Sequence, residues 1–325
     1  MGRNLAIGID IGGTKVSGGV VTESGEIIDR TRRETPHRST SAEIVEDIIV
    51  DVVDELRSRI ATEDSCEAVG IGAAGFVSAD GSTIVFAPHL SWRNEPLRES
   101  LTKRIGMPIH VENDANAACW AEWRFGVAQG ESHVVMITLG TGIGGGLIDD
   151  GRLRRGKFGI AAEYGHMQVV PDGRRCECGN RGCWEQYASG NALVREAKHM
   201  IDAGSPVAVD LGERLAAAGG GRLTGPLITE AARDGDPTAR ELLAEIGYWL
   251  GIGIANLAAA LDPGLFVIGG GVSAAGDLLI EPARDTFVRK LTGRGYRPTA
   301  EVKAAALVND AGLIGAADLA RTTAI

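Results

Sequence analysis

Apolar and small residues alternate along residues 5–21, and a glycine pair, Gly12-Gly13, interrupts the alternation. A period of two is typical of strands, and adjacent glycines allow a tight turn, so this stretch predicts two strands joined by a turn. Residues 27–33 predict a third strand. Between Ser41 and Ile60 the apolar residues recur every three or four positions instead, which predicts a helix. The chain therefore opens as a strand hairpin followed by a helix.

Strands and helices alternate in the rest of the chain. Residues 68–73 and 109–111 predict strands, and residues 115–125 predict the helix that follows the second of them. Residues 134–148 repeat the strand, glycine turn and strand of the N-terminus, so the chain is predicted to contain two related α/β halves. The glycine- and alanine-rich residues 204–225 indicate a mobile connection or lid.

Later segments complete this pattern. Asp236 and Pro237 have the residue types of an N-cap and a first helical position, and they predict a long helix that runs towards Leu261. Residues 265–268 predict a buried strand that ends in three glycines. We expect residues 1–116 to form a smaller N-terminal α/β domain, joined by a C-terminal helix at about 310–325. Residues 117–309 should form a larger α/β domain.

Composition and charge restrict the class of protein. The chain has 325 residues and a formal net charge of −10, which argues against non-specific binding to nucleic acid. The N-terminus lacks the basic and apolar regions of a signal peptide, and the longest apolar run, residues 250–261, is too short to span a bilayer. The expectation is a cytoplasmic protein that is not bound to a membrane.

Three of the five cysteines lie within eight residues and follow a histidine, with the spacing His166-x9-Cys176-x-Cys178-x4-Cys183. Clustered thiols in a reducing compartment favour metal binding over disulfides. Four protein ligands make a closed tetrahedral site, so the pattern predicts a structural zinc ion that does not activate water. The alternative is a loop with unligated reduced cysteines or a redox pair.

Three glycine-rich segments could bind phosphate, because glycine lets backbone amides approach phosphate oxygens. The first segment adds a carboxylate that could act on Mg²⁺ through water, a hydroxyl and a cation. The second repeats the cradle at residues 140–146, and the third follows a buried strand. A glycine hairpin such as the first segment, taken alone, is more often a mere tight turn, and the second and third segments are what favour the phosphate interpretation. The predicted cofactor-binding residues are Asp10, Gly12, Gly13, Thr14, Lys15, Thr141, Gly142, Gly269, Gly270 and Gly271.

Carboxylates at two places could take part in chemistry on a hydroxylated substrate. Asp114 follows a predicted strand and could accept a hydroxyl proton during phosphoryl transfer, while Asn113 could hold a neighbouring hydroxyl. Capping of the next helix by either residue is an equally good interpretation of the local sequence. Glu163 and Glu185 flank the cysteine cluster and could accept hydrogen bonds from sugar hydroxyls, although glutamates in polar loops are usually only solvated.

With these residues in view, the sequence resembles the ROK family of sugar kinases and regulators, and most of all the bacterial glucokinases within it. The resemblance covers nearly the whole chain. It rests on the segments GIDIGGTK, GIGAAGFV, VENDANAA, ITLGTGIGGGLI, GRLRRGKFGIAAEYGH, CECGNRGCWEQYASG, FVIGGGVS and AGLIGAADLA.

The resemblance implies two actin-like, ribonuclease H-like α/β domains that close over a sugar, with ATP and Mg²⁺ at the glycine segments. It implies that Asp114 is the catalytic base on the 6-hydroxyl of glucose. The substrate-binding residues that it implies are Gly75, Asn113, Asp114, Glu163, His166 and Glu185. His166 would bind zinc through one ring nitrogen and the sugar through the other. A homodimer or homotetramer is expected.

The chain departs from the family pattern at two places, and several alternative functions remain open. Ala74-Gly75 stands where many members have proline-glycine, and His89 stands where many glucokinases have asparagine. Kinases for another hexose or an N-acetylhexosamine, and glucokinases that use polyphosphate, are alternatives within the family. A sugar-sensing repressor is disfavoured because no DNA-binding segment is expected before the first strand at Leu5.

Overall fold

The computed structural model describes residues 2–13, 15–35, 41–87 and 90–323. The chain forms two compact units, each built from more than one stretch of sequence. Unit 1 contains Met1–Ser132, Gly146–Ala162 and Asn309–Ile325, and unit 2 contains His133–Gly145 and Glu163–Val308.

Strands and helices follow one another in the mixed order that the sequence predicted. The strands are β1 (Asn4–Ile11), β2 (Lys15–Thr22), β3 (Ile27–Glu34), β4 (Ser65–Ala73), β5 (Phe76–Val77), β6 (Ile84–Phe86), β7 (Arg93–Glu95), β8 (Ile109–Asn113), β9 (Val134–Leu139), β10 (Ile143–Asp149), β11 (Arg152–Leu153), β12 (Leu265–Gly269) and β13 (Glu301–Ala304). The helices are α1 (Ala42–Arg59), α2 (Leu97–Ile105), α3 (Asp114–Phe125), α4 (Glu185–Ala188), α5 (Gly190–Asp202), α6 (Val209–Ala217), α7 (Gly225–Arg233), α8 (Pro237–Leu261), α9 (Asp277–Lys290) and α10 (Ala311–Thr323). The α/β fold class is confirmed.

The main sheet of unit 1 has the strand order β3-β2-β1-β4-β8. The first three strands are antiparallel neighbours, of which the β1–β2 hairpin was predicted from the glycine turn, whereas β4 and β8 run parallel to β1. Because successive residues point to opposite faces of a strand, Gly18 of β2 faces α1 and Gly19 faces α10. The sheet is thus covered by a helix on each face. A small antiparallel sheet, β5-β6-β7, also belongs to this unit.

Helix α10 packs against the sheet of unit 1 through glycines. A β-carbon at Gly8 or Gly70 would overlap the backbone oxygen of Leu313 or Ala316, and one at Gly315 would overlap a backbone oxygen of α3. These positions therefore let the helix backbone lie closer to the sheet and to α3 than a side chain would permit.

A buried carboxylate fixes the same helix to α3. Asp318 of α10 is 1% exposed and accepts hydrogen bonds from Trp120 Nε1 at 2.8 Å and from Arg124 Nε at 3.1 Å. Trp120 also stacks on Trp123, with ring centroids 5.0 Å apart. These tryptophans are packing residues at the contact between α3 and α10.

The second large sheet has the strand order β11-β10-β9-β12-β13. Strands β9, β12 and β13 of unit 2 are parallel, so their carboxyl ends meet at one edge. Helix α8 begins with Asp236 as N-cap, whose side chain accepts from the Ala239 amide at 2.8 Å. By length and composition alone α8 could cross a membrane, but most of its apolar window is buried against other parts of the protein, as in many core helices.

One prediction about the connections needs correction. Residues 204–225 were expected to form a mobile connection, but they contain a 3-10 turn at Pro206–Ala208 and the nine-residue helix α6. Leu211 of α6 is fully buried, and Gly212 is accommodated inside the helix. The glycine content misled the prediction because a buried apolar face can offset the low helix propensity of glycine.

Candidate active site

The first predicted phosphate segment lies at the turn between β1 and β2 in unit 1. The Gly12 amide donates to the backbone oxygen of Lys15 at 2.9 Å, and the Thr35 hydroxyl donates to the Gly12 oxygen at 2.8 Å. Asp10 is the last residue but one of β1, and Gly13 forms the bend that follows this strand. Thr14 and His89 lie outside the described residues. Asp10, the two glycines and Lys15 therefore lie at one hairpin.

Asp10 has an unusual acidity. Burial, followed by the negative charge of Asp114, raises the pKa of its carboxyl from 3.8 to about 7, and the positive charge of Lys15 limits the shift. Gly312, in the first turn of α10, lies so close that a β-carbon there would be 3.3 Å from Asp10 Oδ1. The structure thus brings two carboxylates, predicted from distant parts of the sequence, into electrostatic contact.

Asn113 and Asp114 lie at the junction of β8 and α3. The Asn113 side chain caps the helix, since its Oδ1 accepts from the Asn116 amide at 3.0 Å, and its Nδ2 donates to the backbone oxygen of Gly75 at 3.1 Å. Asp114 Oδ1 accepts from the Ala115 amide at 2.9 Å. The capping interpretation is therefore correct for Asn113, and it leaves Asp114 as the first residue of the helix, beside the charge of Asp10.

Glu112 is a buried residue of this region to which the sequence assigned no role. Its Oε1 accepts from the Asn113 amide at 3.0 Å and from Asn116 Nδ2 at 3.1 Å, and its Oε2 accepts from Arg155 Nε at 2.5 Å. His110 Nε2 lies 3.7 Å from Oε2. Burial acts to raise the pKa of Glu112, but His110 and Arg155 together hold it below its ordinary value. The only sequence signal was the position of Glu112 directly before Asn113.

The second and third glycine segments lie side by side in unit 2. Gly269 of β12 pairs with Thr138 of the parallel strand β9, so both strands end at the same edge. Gly270 has φ 80°, and a β-carbon there would lie 2.6 Å from the Leu139 amide nitrogen. The turn at residues 140–142 is closed by a 3.0 Å bond from the Gly140 amide to the Gly142 oxygen, and Gly271 begins the 3-10 turn beyond. Parallel strand ends with glycine turns are common nucleotide sites in α/β proteins.

The four predicted zinc ligands come together in unit 2. The candidate ligand atoms of His166, Cys176, Cys178 and Cys183 all lie within 4.8 Å of one another. The Sγ atoms of Cys178 and Cys183 are 3.6 Å apart, and Cys176 Sγ is 3.7 Å from His166 Nδ1. Zinc–sulfur bonds of about 2.3 Å in a tetrahedron place two sulfurs about 3.8 Å apart, so the residues fit this ion. Gly179 and Gly182, with φ 97° and 76°, form the turns between the thiols.

Glu163 and Glu185 lie on either side of His166. Glu185 Oε1 is 3.8 Å from His166 Nδ1 and accepts from the Cys176 thiol at 2.9 Å, whereas Glu163 Oε2 lies 4.0 Å from His166 Nε2. Nδ1 therefore faces the thiols, and Nε2 faces the other glutamate. Gly142 is adjacent, since a β-carbon there would lie 2.5 Å from Glu185 Oε2.

The thiols differ in acidity in the absence of a cation. Burial and the hydrogen bond to Glu185 raise the pKa of Cys176. Burial also acts to raise the pKa of Cys178, but hydrogen bonds from the Asn180 backbone and the neighbouring thiols lower it overall. A bound divalent cation would favour the thiolate form of all three cysteines.

The family model for the ROK family matches residues 6–323, and the chain belongs to this family. The predicted family and its two-domain actin-like fold are thereby confirmed.

Three members of known function or structure are similar to this chain. The chain is 50% identical over 320 residues to a glucokinase of Streptomyces coelicolor, with 98% of each chain covered. A crystal structure of a ROK family glucokinase from Streptomyces griseus in complex with glucose and AMPPNP matches with a TM-score of 0.88 and 49% identity, covering 98% of this chain and 99% of that one. A putative xylose repressor of a Caldicellulosiruptor species is 31% identical over 283 residues, which cover 86% of this chain and 69% of the repressor.

Proposed function

We propose that this protein is a glucokinase that transfers the γ-phosphate of ATP to the 6-hydroxyl of glucose, giving glucose 6-phosphate and ADP. The observation that carries the proposal is the near-complete match, at 49% identity, to a glucokinase crystallised with glucose and an ATP analogue. Units 1 and 2 are proposed as the two domains of the kinase, which assigns residues 117–132 and 146–162 to the N-terminal domain and not to the domain of residues 117–309 that the sequence led us to expect. Location in the cytoplasm and assembly into a homodimer or homotetramer are proposed on the family resemblance alone.

Asp114 is the proposed catalytic base. Its carboxylate would accept the proton of the 6-hydroxyl while that oxygen forms the new bond to phosphorus and the bond to ADP breaks. Gly75, Asn113, Glu163, His166 and Glu185 are the proposed sugar-binding residues. The Asn113 bond to Gly75 supports this assignment, because it fixes an amide beside the base. Positioning and charge stabilisation would supply most of the rate enhancement.

The glycine segments are proposed to bind Mg²⁺-ATP. Mg²⁺ would neutralise charge on the phosphate oxygens during transfer. Asp10 would act on this ion through water, and Lys15 would place a cation near the phosphates. Gly142 and Gly270 are half-buried and carry no side chain at these adjacent turns, which suits close approach of a nucleotide to the backbone.

The cysteine–histidine cluster is proposed to hold one structural zinc ion. Its role would be to fix the loop that carries Glu163, His166 and Glu185, so that the three side chains keep one geometry towards a sugar. The closeness of the four ligand atoms, which lie within 4.8 Å of one another, supports zinc, since one ion could bind all four. No step of phosphoryl transfer needs this ion.

The test is turnover by the purified protein with ATP and a panel of glucose, mannose, fructose and N-acetylhexosamines, and then with polyphosphate as donor. We expect glucose with ATP to give the highest kcat/KM. Asp114→Asn should remove most turnover while glucose binding, measured by calorimetry, stays near normal. Loss of binding equal to the loss of turnover would contradict the base assignment. Binding of sugar without turnover by the unmodified protein would favour a sensor, the function class to which the repressor relative belongs.

A further inference from the structure

The Glu112 carboxylate joins three parts of unit 1. Its Oε1 accepts hydrogen bonds from the backbone amide of Asn113 at 3.0 Å and from the side chain of Asn116 on α3 at 3.1 Å. Its Oε2 accepts a hydrogen bond from Nε of Arg155, a residue that follows β11, at 2.5 Å. The Glu112 residue is 2% exposed, so these bonds form away from bulk solvent. One side chain thus connects the strand end, the first turn of α3 and the segment after β11.

Arg155 is held mainly by this contact. Its Nη2 atom is buried without a hydrogen-bond partner among the residues that the structure describes, so the Nε bond to Glu112 fixes the guanidinium. The Arg155 backbone oxygen accepts from the Ala161 amide at 3.0 Å and closes a loop. Within that loop Gly159 packs directly on the backbone of Val77 and Ala79, where a β-carbon would overlap. The loop is therefore closed between Arg155 and Ala161 and fixed at Arg155 and Gly159, and the chain continues from it to Glu163.

We propose that Glu112 and Arg155 are positioning residues for the proposed base, Asp114: the pair fixes the β8–α3 junction and ties it to the 155–161 loop. The inference rests on the proposed function. Asp114 is two residues from Glu112, and the amide of Asn113 between them is one of the groups that Glu112 holds. A change in the Glu112 rotamer would move that amide and release the first turn of α3. Displacements of about 1 Å at a reacting group can cost on the order of 100-fold in rate.

A purely stabilising role for the pair makes a different prediction. Removing one partner of a buried ion pair leaves an uncompensated charge and lowers stability, whereas replacing both partners by uncharged residues of similar volume removes that charge and should recover much of the loss. In such a double variant the placement of Asp114 would not recover together with stability, because a neutral glutamine at position 112 without Arg155 no longer fixes the 155–161 loop. Stability and turnover should therefore separate in the double variant.

The experiment compares Arg155→Met, Glu112→Gln and the double variant, Glu112→Gln with Arg155→Met, in the full chain. Thermal unfolding is measured beside kcat and KM for glucose and ATP, at a temperature well below every unfolding midpoint. Arg154→Met is the matched control, because Arg154 pairs with Asp149 through an ion pair that is 42% and 43% exposed. We expect kcat to fall about 10- to 100-fold in both single variants, with the KM for ATP within twofold of normal.

In the double variant we expect the unfolding midpoint to recover while kcat stays at least about tenfold low. Recovery of kcat together with the midpoint would overturn the proposal and assign the pair to stability alone. An unchanged kcat in Arg155→Met would also overturn it. Failure of the proposed function is distinguishable, because the unmodified protein would then show no glucose phosphorylation at all.

Discussion

The substitution Asp10→Asn should stabilise the protein while it impairs the proposed activity. Burial and the Asp114 charge raise the pKa of the Asp10 carboxyl from 3.8 to about 7 in the folded chain. The native state then binds a proton more tightly than the unfolded state, so the ionisation of Asp10 destabilises the fold as pH rises. The loss begins near pH 3.8, grows through pH 7 and is complete above it.

The size of the effect follows from the shift. A rise from 3.8 to about 7 corresponds to an upper limit on the order of 4 kcal/mol, at about 1.36 kcal/mol per pKa unit. Part of the Asp10 surface remains accessible to water, which screens its charge, so we expect roughly 2–4 kcal/mol at pH 8. For a chain of this size the gain should raise the unfolding midpoint by several degrees.

The assay is thermal or urea unfolding of the protein without nucleotide, at pH 4.5 and pH 8. Asp10→Asn should gain most of its stability at pH 8 and little at pH 4.5. Asp51→Asn on the exposed side of α1 is a matched control that removes a carboxylate away from this site. An equal gain at both pH values would refute the electrostatic reasoning, because a neutral carboxyl and an amide should then differ only in packing. The variant should also raise the KM for ATP.

Three further outcomes test other parts of the structure. Cys178→Ala should abolish the proposed binding of one zinc ion per chain, measured by atomic emission, and raise the KM for glucose about tenfold; a zinc-free variant with normal kinetics would limit the loop to stabilisation. Gly270→Ala should weaken ATP binding about tenfold in calorimetry, because it forces a β-carbon to 2.6 Å from the Leu139 amide at φ 80°; unchanged binding would place the nucleotide elsewhere. Asp318→Ala should lower the free energy of unfolding by roughly 3–5 kcal/mol, since it leaves the buried Arg321 cation without its partner and Trp120 without its acceptor, and a loss below about 1 kcal/mol would contradict that role.

The fold was predictable where hydrophobic period and turn residues agreed. The β1–β2 hairpin, α1, and α8 with its Asp236 cap all begin and end within a few residues of their expected positions. Helix α6 was missed because its stabilisation comes from burying Leu211, and a local glycine count carries no information on that contact. Period and capping are local properties, whereas burial depends on the partner element.

The candidate site also has a part that local sequence predicted and a part that depends on the packing of the fold. The cysteine spacing predicted a cluster because the turns that bring the thiols together lie within the motif itself. The contact between the charges of Asp10 and Asp114 depends on the packing of β1, β4 and β8, so the motifs suggested two functional residues without indicating their coupling. The bond from Arg155 to Glu112 joins residues 43 positions apart, and neither residue type is unusual in its own segment.

The glycine contacts of α10 have a consequence for the order of folding during synthesis. Strands β1 and β4 leave the ribosome early, but Gly8 and Gly70 have no side chain of their own and are covered by the backbone of Leu313 and Ala316. That face of the sheet can therefore be buried only after the C-terminal residues have been synthesised. We expect nascent chains that stop before Ala311 to expose the apolar face and to bind chaperones, and the slowest folding step should involve docking of the C-terminal helix.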